Sequence, residues 1–338
     1  MQRVTITIAI ALLTAWCAAG CLYTEPAPGL DASPVVTLSP VVPPGTDASL
    51  ATALAARRAG EYEVALAAFR EILAHDPTVA GAYVGIGEIY LLRQEYADAE
   101  GVLARAVRLE SRNFDAQYGH GRALQMLGRF AEAVRAYHRA LTIRPDSVDA
   151  NRHMATTYLQ MGEPASALVF AEKAVELDPA NGPARANLGT IYREAGRSSD
   201  AIHQYEAAIE LMEATPPLLT NLITALVDQE RYVDAMNAAE DLVTLAPSAR
   251  SWERLGWSAF RAGNYRKSIE AYRDAVAIEP DFWPALNGVG CNALNTWLLS
   301  GKRDGPAFLE AREAFRRSVR VNPDQQKVIS LLSQYGSR

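Results

Sequence analysis

The stretch GRFAEAVRAYHRALTIRP, residues 128–145, decides the fold because related stretches return along most of the chain. The spacing between their starts is 34 residues five times and 33 residues once. These starts are Gly60, Gln94, Gly128, Gly162, Gly196, Glu230 and Gly263, and a degenerate eighth copy begins at Pro306. A fixed period of this length is typical of arrays in which each unit packs on its neighbours.

Each of these stretches has the pattern of a helix that packs closely on another. A small residue stands five places in, and an aromatic residue often follows four places later, as in Ala133 and Tyr137. Residues four apart share a helix face, so the small residue permits close approach and the ring fills the next gap. Most units then end at a proline, which cannot continue the helix.

A second helix is expected ahead of each stretch, as in AQYGHGRALQML at residues 116–127. A glycine recurs on it at one fixed place. Glycine in a helix interior costs about 1 kcal/mol relative to alanine, so its return implies contact with a neighbouring backbone. The recurring glycines are Gly87, Gly121, Gly189, Gly256 and Gly290.

Together these features resemble the tetratricopeptide repeat, a helix-turn-helix unit of 34 residues. The resemblance covers residues 49–323 and implies an all-α, right-handed superhelical solenoid of about eight units, whose first helices line a concave groove. Residues 324–338 contain Val328, Leu331, Leu332 and Tyr335 at helical spacing, which predicts a C-terminal capping helix.

Two units depart from the pattern. Unit six begins with Pro216 and Pro217 and has Ile223 where glycine is usual, which is expected to bend or loosen the stack. Unit eight carries extra residues around 297–305, which predicts either a longer first helix or a longer turn, with residues 302–305 protruding as a loop. Such a loop would serve binding, or it would simply be the drift of a terminal repeat.

Composition excludes several classes of protein. With 49% apolar and 21% charged residues among 338, the chain is not intrinsically disordered. A formal net charge of -6 offers no excess of cations for phosphate groups, which argues against nucleic-acid binding. No phosphate-binding loop, HExxH, CxxC pair or nucleophile elbow occurs, so we expect no enzyme activity, no cofactor and no metal site.

The N-terminus predicts export and lipid attachment. Residues 1–20 combine Arg3 with an apolar run that is too short for a spanning helix, as in a signal peptide. The end of that run, AAGC at residues 18–21, resembles the lipobox of bacterial lipoproteins, although Ala18 replaces the usual leucine. The resemblance implies that Cys21 is acylated and becomes the first residue of the mature chain. The alternative is a conventional signal or an uncleaved anchor.

Residues 21–48 are rich in proline and lack a helical period, which is typical of an extended tether. Removal of the signal would leave Cys291 without a disulfide partner. Leu22 after the cysteine resembles the sorting pattern for the outer membrane rather than the inner one. We therefore expect a lipid-anchored protein of the bacterial cell envelope.

Candidate ligand-binding residues lie at groove-facing places of the repeat register. Arginines bind carboxylates bidentately, and in related families a row of asparagines binds an extended peptide backbone. The alternative is a solvated face on which Glu88, Asp115 and Asp149 neutralise the arginines. The candidates are Tyr118, Arg122, Arg152, Asn187, Arg193 and Asn221.

These features favour a membrane-anchored scaffold that binds segments of other envelope proteins and supports assembly or localisation of a complex. A second hypothesis is an exported protein that binds glycan or peptidoglycan, since Trp252, Trp257 and Trp283 cluster in units seven and eight and could stack on sugar rings. A disguised enzyme is a third hypothesis, with no group of residues to support it.

Overall fold

The computed structural model describes residues 46–335, and all regular secondary structure in that range is α-helical. The expected signal peptide, Cys21 and almost all of the expected tether lie outside the described residues. The helices are α1 (Thr46–Arg58), α2 (Tyr62–His75), α3 (Ala80–Leu92), α4 (Tyr96–Leu109), α5 (Phe114–Met126), α6 (Phe130–Ile143), α7 (Val148–Gln160), α8 (Pro164–Leu177), α9 (Gly182–Glu194), α10 (Ser198–Leu211), α11 (Pro216–Asp228), α12 (Tyr232–Leu245), α13 (Ala249–Arg261), α14 (Tyr265–Ile278), α15 (Trp283–Leu299), α16 (Gly305–Val321) and α17 (Gln326–Tyr335).

The first sixteen helices form eight consecutive helix-turn-helix units, which confirms the predicted array. In units one to seven the two helices are joined by a three-residue turn. In unit three the second residue of this turn, Gly128, has φ +74° in the left-handed region, where glycine meets no steric penalty. Gln94 and Glu230 adopt the same conformation without glycine, at φ 62° and 56°. The turn is therefore fixed by the repeat geometry even where its usual residue is missing.

Close contact between the recurring glycine and a ring joins the two helices of a unit. A Cβ atom added to Gly121 on α5 would lie 2.7 Å from the ring of Tyr137 on α6. The same contact would be 2.9 Å between Gly256 and Tyr272, and 2.5 Å between Gly290 and Phe315. Real Cβ atoms do not come so near to other carbons, so the expected crowding at the glycine is confirmed. Its neighbour in these three units is a side-chain ring and not the expected backbone.

The stack is curved, with the first helix of each unit on the inner face. Successive first helices pack on one another, as α3 does on α5 and α7 on α9, whereas successive second helices do so far less. Since the first helices lie closer to one another than the second helices do, the stack bends toward the first helices and its inner surface is concave. This arrangement confirms the superhelical solenoid within the described residues.

The C-terminal helix α17 covers the end of the stack, as its apolar spacing predicted. Val328 is buried against the apolar side chains of α15 and α16, and Leu331, Leu332 and Tyr335 pack beside it. Before this helix, the amide of Gln325 donates to the backbone oxygens of Ser318 and Asn322. These bonds hold the connection to α16 in place.

Unit eight corrects one expectation. The extra residues lengthen both helices, which have 17 residues each where the other units have 13 or 14. Residues 302–305 do not form a protruding loop: the turn covers residues 300–304, and Gly305 begins α16. The turn is compact because the Ser300 hydroxyl accepts from the backbone N–H groups of Arg303 and Asp304.

The glycine contact predicts opposite effects for one substitution at two helical sites. Gly121→Ala forces a methyl group against the fully buried ring of Tyr137, and we expect a loss of about 1 to 2 kcal/mol in the free energy of unfolding. Gly101→Ala is the matched control, since Gly101 lies inside α4 with open space around it. Alanine there is expected to add up to about 1 kcal/mol through helix propensity.

Chemical denaturation followed by circular dichroism measures both changes. Equal stabilisation by the two substitutions would show that the ring of Tyr137 moves aside freely, and would contradict the role given to the glycine.

Candidate functional site

The candidate site is the inner face formed by the first helices α5, α7, α9 and α11. Tyr118 and Arg122 lie on α5, Arg152 on α7, Asn187 and Arg193 on α9, and Asn221 on α11. All six side chains are half-buried. The structure brings three of them together, uses two as links between neighbouring units, and pairs the sixth on its own helix.

Tyr118, Arg122 and Arg152 belong to one aromatic and cationic cluster. The ring of Tyr118 lies 5.8 Å from the Arg122 guanidinium carbon, and it stacks on Phe114 with ring centroids 5.6 Å apart. Burial raises the pKa of Tyr118 to about 12, so its hydroxyl stays protonated. Arg122 makes no ion pair in residues 46–335, which leaves its charge available to a ligand.

Arg152 has a carboxylate partner, as the solvated-face alternative expected. Its Nη2 donates to Asp149 Oδ1 over 3.1 Å, but Asp149 is well exposed. Exposed ion pairs contribute from zero to about 1 kcal/mol, so an incoming carboxylate competes with little loss. Glu88 forms its ion pair with Arg57, and it attracts Arg122 only at longer range, so it neutralises Arg122 in part.

His153 and Gln125 complete this cluster. The imidazole stacks on Tyr137 with ring centroids 6.0 Å apart, its Nδ1 lies 3.3 Å from Gln125 Oε1, and its Nε2 lies 3.2 Å from Arg152 Nη2. Burial, and then the charges of Arg152 and Arg122, lower the pKa of His153 to about 3. A neutral imidazole that donates from Nδ1 and accepts at Nε2 satisfies both neighbours.

Neither His153 nor Gln125 is among the candidate residues that the sequence suggested. The available signal was the register, since His153 precedes Asn187 by 34 residues and Asn187 precedes Asn221 by 34.

Asn187 and Asn221 act as links between neighbouring units. Asn187 Nδ2 donates to the Thr156 hydroxyl on α7 over 2.9 Å, and Asn221 Nδ2 lies 3.5 Å from the Thr190 hydroxyl on α9. The Oδ1 atom of Asn187 is buried and has no partner among the described residues. Each amide thus retains acceptor capacity while its nitrogen connects two first helices.

Arg193 does not join the cluster of Tyr118. Its Nη2 donates to Glu194 over 2.6 Å on the same helix. The guanidinium is therefore paired locally, at the end of α9.

A cavity that sequence analysis missed opens farther along the inner face, between α11 and α13. It has a volume of about 270 Å³ and includes Trp257, Arg254 and Glu253 in its wall. Of the three tryptophans considered for sugar stacking, Trp257 lines this cavity, Trp252 packs against the core, and Trp283 is 39% exposed at the start of α15. The signal in the sequence was the single 33-residue spacing.

Neither a metal site nor a membrane span is present in the described range. Within residues 46–335, no three His, Cys, Asp or Glu side chains are grouped so that they could hold a metal ion. No helix there has the length and apolar character required to cross a bilayer.

Family models described as tetratricopeptide repeat match most of this helical array. One model matches residues 50–116 and 220–281, a second matches 112–180 and a third matches 158–210. Together they cover more than half of the 338 residues. A comparison with curated proteins finds no match.

Several solved structures are similar to this chain in fold. One, from a functional characterisation of Pseudomonas aeruginosa pilF, is 21% identical with a TM-score of 0.56, covering 65% of this chain and 98% of that one. YrrB, described as a TPR protein with an unusual peptide-binding site, is 18% identical with a TM-score of 0.51, covering 59% and 99%. A tetratricopeptide repeat protein from Parabacteroides merdae is 14% identical with a TM-score of 0.52, covering 70% and 94%. At these identities the similarity concerns the fold.

The environment of His153 predicts a pH dependence of stability. The pKa of histidine in an unfolded chain is about 6.5, whereas in the folded protein it is about 3. As pH falls below about 6.5 the unfolded chain binds a proton that the folded chain excludes, so stability decreases. Between pH 7 and pH 4.5 we expect a loss of about 2 kcal/mol from this group.

The measurement is the free energy of unfolding at both pH values for the wild type and for His153→Gln. Between pH 7 and pH 4.5, the free energy of unfolding of the variant should fall by about 2 kcal/mol less than that of the wild type, because glutamine does not titrate. The same pH dependence in both proteins would place the histidine in a solvated environment, contrary to the observed stacking on Tyr137.

Proposed function

Since the chain belongs to the tetratricopeptide repeat family, we propose that it is a non-catalytic scaffold that binds extended segments of other proteins on its inner face. The observation that carries the proposal is the cluster of Tyr118, Arg122 and Arg152 on a concave surface. It combines an aromatic ring, an unpaired guanidinium and a weakly paired one. These groups are suited to a partner that carries both apolar and carboxylate groups.

The amides beside this cluster extend the surface along the groove. The amides of Asn187 and Asn221 add donor and acceptor groups with which an extended segment can form hydrogen bonds through its backbone. Thr156 and Thr190 hold the amides of Asn187 and Asn221 in place across neighbouring units. Such pre-organisation reduces the entropy lost when a ligand binds.

The second part of the proposal is location. The lipobox-like AAGC at residues 18–21 favours acylation of Cys21, and residues 21–48 would then serve as a tether between lipid and scaffold. Several acyl chains at one cysteine exceed the two signals required for stable anchoring. The scaffold would thus act at a membrane of the bacterial cell envelope, preferably the periplasmic face of the outer membrane.

Intact mass of protein purified from membranes tests the anchor. We expect the mature chain to begin at Cys21 and to carry acyl chains, whereas Cys21→Ser should remain unacylated and leave the membrane fraction. Cys291→Ser is the matched control, because the same atom is changed within α15 and the lipid should stay in place. A wild-type chain that lacks lipid, or that is cleaved elsewhere, would contradict the anchored scaffold.

A triple substitution tests the groove. Arg122→Ala, Arg152→Ala and Asn187→Ala together should abolish co-purification of partner proteins from solubilised membranes, because they remove both cations and the amide acceptor. The matched control changes the same residue types on the exposed faces of second helices, as Arg135→Ala, Arg139→Ala and Asn237→Ala. Helicity should be equal in both variants, and unchanged capture by the groove variant would overturn the assignment.

Glycan binding is the second candidate, and the half-buried Trp257 favours it. Its ring lies edge-on to Tyr232 at 6.2 Å, and the Arg261 guanidinium lies 5.3 Å from it. A sugar that stacks on this indole would change its emission. Titration with soluble peptidoglycan fragments therefore separates the candidates, since peptide capture by the cluster on α5 and α7 leaves such a titration flat.

A further inference from the structure

The junction between units six and seven differs from every other junction of the array. Residues 246–248 form a three-residue connection from α12 to α13, whereas all the other connections between units have four residues. The first helices α11 and α13 are also the weakest-packed pair of successive first helices. The inner face is therefore more open here than elsewhere.

The cavity at this junction has an apolar wall suited to one large side chain. Ile223 and Val227 of α11 face Trp257 of α13 across it. Its volume of about 270 Å³ lies just below the roughly 300 to 1,000 Å³ typical of pockets for whole small-molecule ligands. This first cavity by itself therefore fits one side chain of a bound segment better than a complete small ligand.

A buried hydroxyl in the same wall lacks a partner. Ser258 is 1% exposed, it lines the cavity, and its Oγ atom makes no hydrogen bond within residues 46–335. Hydroxyls elsewhere on this inner face, such as those of Thr224 and Thr190, bond to a carbonyl one turn earlier. A buried hydroxyl without a partner costs about 1 to 3 kcal/mol, so the wall of this cavity is less well satisfied than the rest of the inner face.

A second cavity of about 420 Å³ continues along α13 and shares Arg254 with the first. Arg250 and Arg254 are one helical turn apart and thus on one face, and neither makes an ion pair in the described part of the chain. The carboxyl group lining these two cavities is that of Glu253, whose pKa is raised by burial. The two guanidinium groups are therefore balanced by a single carboxyl group that ionises less readily than usual. The pair of cavities consequently favours an anionic occupant.

We propose that the paired cavities between α11 and α13 form a specificity site for a partner segment that carries a large apolar side chain within two residues of a carboxylate. The apolar side chain enters between Val227 and Trp257, and the carboxylate binds Arg254 and Arg250. The proposal deepens the proposed function and rests on it, since the site is part of the same inner face. It assigns the choice of partner to a junction far from Tyr118.

Selection of random twelve-residue peptides displayed on phage, with the immobilised full-length chain in detergent, tests the site. We expect enrichment of sequences in which Leu, Met, Phe, Tyr or Trp lies within two residues of Asp or Glu. The strongest peptide is then synthesised, and its affinity is measured by fluorescence anisotropy. Replacing its carboxylate by the corresponding amide, or its apolar residue by alanine, should weaken binding at least tenfold.

Two variants of the protein locate the binding. Val227→Trp fills the first cavity, and Arg254→Glu reverses the charge at the boundary between the two cavities. Each substitution should therefore lower the affinity for the peptide at least tenfold. Arg266→Glu on α14 is the matched control, because it makes the same charge change at an exposed residue outside both cavities. Arg254→Glu should weaken the binding of the carboxylate peptide, but it should bind the amide peptide as tightly as the wild type does. This pattern would link Arg254 to the carboxylate of the peptide. If Val227→Trp lowers helicity, the test relies on Arg254→Glu and on the altered peptides, because loss of folding alone would weaken binding.

The outcomes separate the two proposals. Peptides that bind the wild type and lose affinity with the triple groove variant, but not with Val227→Trp or Arg254→Glu, overturn this inference and leave the proposed function intact. Enriched sequences without an apolar and acidic pair also overturn it. Failure of the wild-type chain to bind any peptide overturns both proposals.

Discussion

The contact between a glycine of the first helix and a ring of the second is the constraint on which the structure depends. Gly121 against Tyr137 and Gly290 against Phe315 bring backbone and ring within a distance that no other residue permits. Because this contact recurs at almost the same place, neighbouring units are added with similar rotation. The first helices consequently stay close together and form one continuous inner surface.

On each first helix, the position two residues before that glycine connects packing to function, as Gly85 does two residues before Gly87. It faces the preceding unit, where Gly85 meets Phe69 and Gly288 meets Tyr272. His153 stacks on Tyr137 at the same place. Asn187 and Arg254 follow units in which the ring is replaced by alanine, at Ala171 and Ala239. His153 and Asn221 are polar at the same place although the preceding units keep the rings of Tyr137 and Tyr205, so in units four to seven this place supplies polar groups to the inner face with or without a ring before it.

Much of this was predictable from the sequence, because the repeat sets helix bounds, turns and small-residue contacts through local spacing. The glycine at the ring contact and the capping role of Val328 follow from such spacing. Pairings across units were less accessible. The bond from Asn187 to Thr156 joins residues 31 apart, and nothing in either residue alone selects the other. The lengthened helices of unit eight replaced the expected loop because a helix satisfies its own backbone hydrogen bonds, whereas a loop requires outside partners.

The weak pairing of α11 with α13 also has a mechanical consequence. In a solenoid each unit contacts its neighbours, so bending stiffness at a junction grows with the surface that the two units share. At the junction of units six and seven, α12 packs on α13 at least as extensively as any other second helix packs on the next first helix in the described residues, so this outer contact holds the two units together. The inner edge of the junction can therefore widen about that contact while the units stay joined.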